Sequence, residues 1–263
     1  MWELYDRMIE GIPHDWKAEE IFRGTSFACV LSNNGLGIAE PRPYDLRKPL
    51  QTKNLEGASL REVAACIKSW NFFEAATGLA AINAYYNNID VARGFGVTIS
   101  ESLHIEDRIF DPFIMSQNTI RGKKVTVVGH FPHITQLMAP VCDLSIIAVH
   151  DPQQDDYPLS AAEFLLPESD FVYISSSTLI DKTMPRLLEL SRNAQTTTIV
   201  GPSTPLAPVL FSFGAHDLSG FVVKDRSKAK NIIRGAENTK IFATGQKVAF
   251  KIHQYQQALD RKN

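Results

Sequence analysis

Gly129 ends an apolar run, Val125-Thr126-Val127-Val128, and is followed by His130-Phe131-Pro132-His133. A glycine there lets the backbone approach a ligand closely. Asp151 follows at about the spacing at which an acidic residue meets a ribose hydroxyl in nucleoside sites. The full GxGxxG is missing, so a bound pyrophosphate is poorly supported, while a nucleoside such as S-adenosylmethionine depends less on that motif. His130 and His133 are spaced to face one cation, and His150 or Asp151 could approach from the next strand. Two hydroxyl-rich stretches, Ser175-Ser176-Ser177-Thr178 and Gly201-Pro202-Ser203-Thr204, each follow an apolar run. Either could bind an anionic or polar group. Pro205 suits a first helical turn, which predicts Ser203 or Thr204 as its N-cap and free N–H groups for an anion. Glu74 lies in an otherwise apolar segment, where a cleft-facing carboxylate could act as acid or base. The plainer expectation is a first-turn glutamate stabilised by the helix dipole. Asn83 falls on the apolar stripe of the same segment and must find partners for its amide.

These residues need elements to hold them. From residue 123 the pattern alternates strand and helix. Predicted strands are 124–129, 144–150, 171–175, 197–201 and 220–223, nearly continuous in apolar residues, as in a parallel sheet covered on both faces. Predicted helices cover 134–139, 160–165, 184–194, 205–213 and a long final stretch, 246–259. Loops in such folds gather at the carboxyl ends of the strands. The first hundred residues read differently. A helix is predicted over 2–12, a hairpin over 25–31 and 36–39 around Ser32-Asn33-Asn34-Gly35 with Asn34-Gly35 as its signal, and helices over 59–67 and 69–88. Small residues Gly78, Ala80, Ala81 and Ala84 make the last helix slim. A boundary is expected near Ser100, giving an α+β unit over 1–100 and an α/β unit over 101–263.

The 263-residue chain is 44% hydrophobic and 21% charged with formal net charge −2, ordinary for a globular protein. That balance gives no electrostatic case for a nucleic-acid partner, and no apolar run reaches a membrane span. Cys29, Cys66 and Cys142 are far apart in apolar contexts and form no CxxC pair, so they are expected as buried, reduced thiols. With no signal peptide apparent, the expected location is the cytoplasm. The aromatic-rich first half makes a homodimer plausible. No GxSxG elbow, P-loop or HExxH occurs.

Four ordered motifs, Gly24-Thr25-Ser26-Phe27-Ala28, the run from Asn71 to Ala84, Val128-Gly129-His130-Phe131-Pro132 and Gly201-Pro202-Ser203-Thr204-Pro205-Leu206, resemble the family described as "Putative heavy-metal chelation". The resemblance implies an enolase-N-terminal-like α+β domain followed by a Rossmann-like parallel-sheet domain, with the site in the cleft between them. It also implies a small heteroaromatic or chelating ligand, pterin-, flavin- or siderophore-like. On that reading Glu74, Asn83 and His130 are the catalytic candidates. Thr25, Gly129, Phe131, Asp151, Ser175–Thr178 and Gly201–Thr204 line the ligand. No one cofactor is indicated; a divalent heavy metal and a nucleoside-type ligand are the two candidates. The alternatives are a non-catalytic metal- or metallophore-binding protein and a methyltransferase relative.

Overall fold

The computed structural model describes residues 2–42, 47–51, 53–102, 110–150 and 152–261. It is a mixed α/β structure with one small antiparallel sheet and one larger, mostly parallel sheet.

The chain opens with α1 (Glu3–Glu10) and then builds the small sheet from β1 (Glu20–Arg23), β2 (Ala28–Ser32) and β3 (Gly35–Ala39). Asn33 and Asn34 both take positive φ, 44° and 62°, so the hairpin turns on that pair rather than on Asn34-Gly35. Strand β1 was not expected: Glu20-Ile21-Phe22-Arg23 carries only two apolar residues. Helices α2 (Leu60–Ala65), α3 (Phe72–Tyr86) and α4 (Ile89–Gly94) follow, then α5 (Pro112–Met115).

Helix α3 organises the molecule. It is apolar almost all round and buried on almost every side. Asn71 caps it by accepting the Glu74 N–H at 2.9 Å. Glycines let backbones touch it. A Cβ on Gly78 would lie 2.0 Å from the Ile67 nitrogen, and one on Gly37 would lie 2.0 Å from the Ala80 carbonyl oxygen. Strand β3 therefore rests on α3 main chain to main chain.

The larger sheet contains β4 (Lys124–Val128), β5 (Asp143–Ile147), β6 (Phe171–Ser175), β7 (Thr196–Val200), β8 (Asp217–Val223) and β9 (Gly245–Lys251). Their order is β5-β4-β6-β7-β8-β9; all pairs are parallel except β8 with β9. Helices α6 (Ile134–Met138), α7 (Ala162–Leu165), α8 (Met184–Leu190), α9 (Val209–Ser212), α10 (Arg226–Ile233) and α11 (Ile252–Asp260) lie between and after the strands.

Two expectations fail here. The long final helix over 246–259 is instead β9 and then α11. Val248, Phe250 and Ile252 alternate, which suits a strand, whereas helical spacing begins only at Ile252. The helix predicted from Pro205 starts at Val209 after Pro208. Ser203 and Thr204 are therefore not helix caps, and the anion site expected there has no helical turn to form it. The Ser203 hydroxyl instead accepts the Glu40 N–H at 2.9 Å.

One buried apolar cluster joins the two sheets, running from Leu4, Met8 and Leu79 to Val128, Ile174, Val222 and Phe250. A second, with Phe113, Val127 and Tyr173, lies under α5 and α6. A third packs Phe27 and Ile38 of the small sheet against Phe221 and Ile233.

Candidate functional site

In the larger sheet the strand order reverses between β4 and β6. Ligands in open α/β sheets bind in the crevice outside the carboxyl ends of the strands at such a point. Gly129 and Ser175 end those two strands. Gly129 has φ of 106°, and a Cβ on it would lie 2.7 Å from the Ser175 Cβ. Gly201, after β7, has φ of 133°, and its Cβ would lie 2.6 Å from the Ser176 hydroxyl. Both glycines serve backbone conformations and close approaches that a side chain would disturb. They keep the strand ends open over a cavity of about 540 Å³.

Of the residues singled out from the sequence, Gly129, His130, Phe131, Ser175, Ser176, Ser177, Gly201 and Pro202 line that cavity, as does His150. The opposite wall is the segment leaving β3, Glu40, Pro41 and Arg42. Pro132, Val149, Gln153 and Phe242 complete the lining. Desolvation by its surroundings raises the Glu40 carboxyl above the ordinary range, Arg42 opposes that shift, and the residue keeps an exposed face.

Each histidine has a carboxylate behind it. The His130 Nδ1 lies 3.4 Å from Asp156, whose side chain is 4% exposed. The His150 Nε2 lies 3.8 Å from Asp181, 9% exposed. Asp181 also pairs with Arg42 at 3.2 Å, and its other oxygen accepts the Thr183 N–H and hydroxyl. Asp156 accepts the Gln153 N–H at 2.9 Å. These carboxylates are thus held in place by backbone or side-chain donors, and they stand at ion-pair distance from the imidazoles rather than in hydrogen bonds to the facing ring nitrogens. The wall hydroxyls are partly engaged internally. Ser175 and Ser177 share a 2.6 Å hydrogen bond; Thr178, expected at the site, is fully buried behind the wall and donates its hydroxyl to the Ser175 carbonyl at 2.8 Å.

Other expected site residues lie elsewhere. Glu74 is 3% exposed, and its two oxygens accept the N–H groups of Leu50 and Gln51, each at 2.7 Å. It clamps a loop and is not on the cavity wall. Asn83 is 1% exposed; its Nδ2 donates to the carbonyls of Ile38 at 2.8 Å and Ser203 at 3.0 Å. It ties β3 to the loop after β7, behind the wall. Thr204 is fully buried, and Thr25 faces a separate cavity with Phe27 and Ile233. His133 precedes α6 with φ of 61° and an exposed side chain, away from the cavity that His130 lines. Asp151 lies outside the described residues. Cys29 and Cys66 are buried and Cys142 partly so; burial raises all three thiols, Cys66 to about 12 and Cys142 to about 11. Among the described residues no group of three His, Cys, Asp or Glu side chains is placed to hold a metal ion, and no helix is long and apolar enough to cross a membrane.

A family profile described as "Putative heavy-metal chelation", DUF364, matches residues 111–252. The chain belongs to the DUF364 family. A second profile with the same description, DUF4213, matches residues 5–86, so the DUF364 family match and this one together take in both sheets. A crystal structure of a DUF364 family protein of unknown function from Desulfitobacterium hafniense superposes with a TM-score of 0.88 at 55% identity, covering 95% of this chain and 98% of that one. Another DUF364 family structure, from Pyrococcus horikoshii, has a TM-score of 0.74 at 21% identity, over 94% and 98% of the two chains, and shows the shared fold. An uncharacterized protein of Methanocaldococcus jannaschii is 29% identical over 233 residues, 82% of each chain.

Proposed function

We propose that this protein handles a small metal-chelating metabolite in the cavity between the β3 exit and the ends of β4, β6 and β7. The metal is cargo carried by the organic molecule. The observation that carries the reading is the pair of carboxylate-backed imidazoles, His130 with Asp156 and His150 with Asp181, on one cavity. A carboxylate is the usual second partner of a ligating histidine, and here one stands at ion-pair distance from each ring. Two imidazoles alone do not complete a metal's coordination, whereas two imidazoles and a bidentate chelator can fill a four-coordinate set. Charge favours the same cargo. Among the described lining residues Glu40 and Arg42 are of opposite sign, and Asp156 and Asp181 stand behind the histidines, so a ligand that brings positive charge meets carboxylates at close range. The family description, heavy-metal chelation, is of the same kind.

The test is equilibrium dialysis of the full chain with the 1:1 ferric complex of salicylate and with salicylate alone. The complex is expected to bind and the free acid not, with His130→Ala and His150→Ala each weakening binding at least tenfold. Equal binding of complex and free acid, or histidine variants that bind like the parent chain, would overturn the reading.

A further inference from the structure

A second cavity, of about 310 Å³, opens beside the first over the same strand ends. Its character is different. Phe113, Ile134, Leu137 and Val200 line it, and Phe131, Pro132, Gly201, Pro202 and Phe242 are common to both cavities. The Phe113 and Phe131 rings lie 5.1 Å apart and tilted by 57°, so the wall offers ring edges and faces at aromatic packing distance. At the rim, the Lys247 ammonium stands 5.0 Å above the Phe242 ring and 3.7 Å from Asp111. That ion pair fixes one side of the opening. An apolar cavity of about 150 Å³ takes up benzene; this one has about twice the space. Ligand sites of this kind pair apolar walls with a few placed polar groups, and here the two are split between adjoining compartments.

We infer that the apolar cavity receives a fused-ring aromatic portion of the same molecule whose chelating head lies against His130 and His150. The inference rests on the proposed function. It adds that the ligand has two ends: an oxygen-donor head and a planar body at least two rings wide. Phe131 and Phe242, shared by the two cavities, stand where the ends join.

The experiment compares the 1:1 ferric complexes of salicylate and of 3-hydroxy-2-naphthoate, which share a head and differ by one ring remote from the metal. The parent chain is expected to bind the naphthoate complex about tenfold more tightly, from burial of the second ring. Leu137→Trp, which fills the apolar cavity from α6, should abolish that preference and leave the salicylate dissociation constant unchanged. Should Leu137→Trp not fold by circular dichroism, Phe242→Ala is expected to cut the preference to about twofold or less. A parent chain without the preference, or a preference that survives substitution, overturns the inference. If the salicylate complex binds with histidine dependence but the second ring adds nothing, only the two-ended ligand falls. If neither complex binds, the proposed function falls with it.

Discussion

Both oxygens of Glu74 accept backbone N–H groups, from Leu50 and Gln51, so its carboxylate is a fastening for a loop. Glu74→Gln keeps the shape but turns an N–H₂ group toward one of those donors. Hydrogen bonds to a charged acceptor contribute about 1.5–3 kcal/mol each. The variant should therefore lose about 2 kcal/mol in urea denaturation while binding ferric salicylate as the parent chain does. Lys182 supplies a pH-dependent counterpart. Its ammonium donates to the carbonyls of Ser69 and Ile180 and lies 5.2 Å from the Trp70 ring. Burial lowers its pKa from 10.5 to about 8, against Asp181 and Glu74, which pull it up. Between about pH 8 and 10.5 the unfolded chain holds this proton more often than the native one, so unfolding free energy rises with pH in that window. The stability of the parent chain relative to Lys182→Met should climb from pH 8 to 10 and lie flat below pH 7, read from denaturation midpoints at each pH. A flat difference throughout would sink the assignment.

At the scale of elements, α3 decides how the two sheets meet. Asn87 donates to the carbonyls of Thr204 at 3.0 Å and Phe221 at 3.1 Å and accepts the Leu206 N–H at 2.9 Å. Asn87→Ala leaves three buried backbone groups without partners, each costing about 1–3 kcal/mol. The expected loss is about 3 kcal/mol or more, measured by thermal or urea unfolding; a change under about 1 kcal/mol would refute the role. The strands of the larger sheet were readable in sequence because β4, β6 and β7 are apolar runs covered on both faces. The turn glycines 129 and 201 were readable because each closes such a run. Strand β9 was hidden by helical spacing that begins at its end, and β1 by its charged termini. At the site, the strand-end wall was visible and its partners were not. Arg42 and Glu40 sit in a proline-bounded segment without periodicity. Asp156 and Asp181 gain meaning only from the histidines they stand behind, which are remote in sequence. The sequence indicates that the Asn83 amide needs partners, but only the fold shows that its Nδ2 finds them on β3 and on the loop after β7.

The whole molecule depends on both sheets being present. One buried cluster runs from Leu4 and Leu79 to Val222 and Phe250, and the Tyr5 hydroxyl donates to the Leu179 carbonyl at 3.1 Å. A fragment of residues 1–100 would expose the side of α3 that carries Asn83 and Asn87, together with its apolar neighbours. It is expected to aggregate or to lack dispersed amide resonances in a two-dimensional NMR spectrum. A well-dispersed spectrum would show that the first hundred residues fold by themselves. The contact of Gly37 with the Ala80 carbonyl has a consequence for how molecules are admitted. The strand that leads into Glu40 and Arg42 meets α3 backbone to backbone at Gly35 and Gly37, so side-chain rotamer changes there cannot move the base of that wall. One jaw of the opening is thereby fixed by main chain, like that of a caliper. Under the proposed function the protein sorts chelates first by outline: a complex with one chelator per metal can enter, and a bulkier complex of the same metal with three is turned away before any donor atom is read.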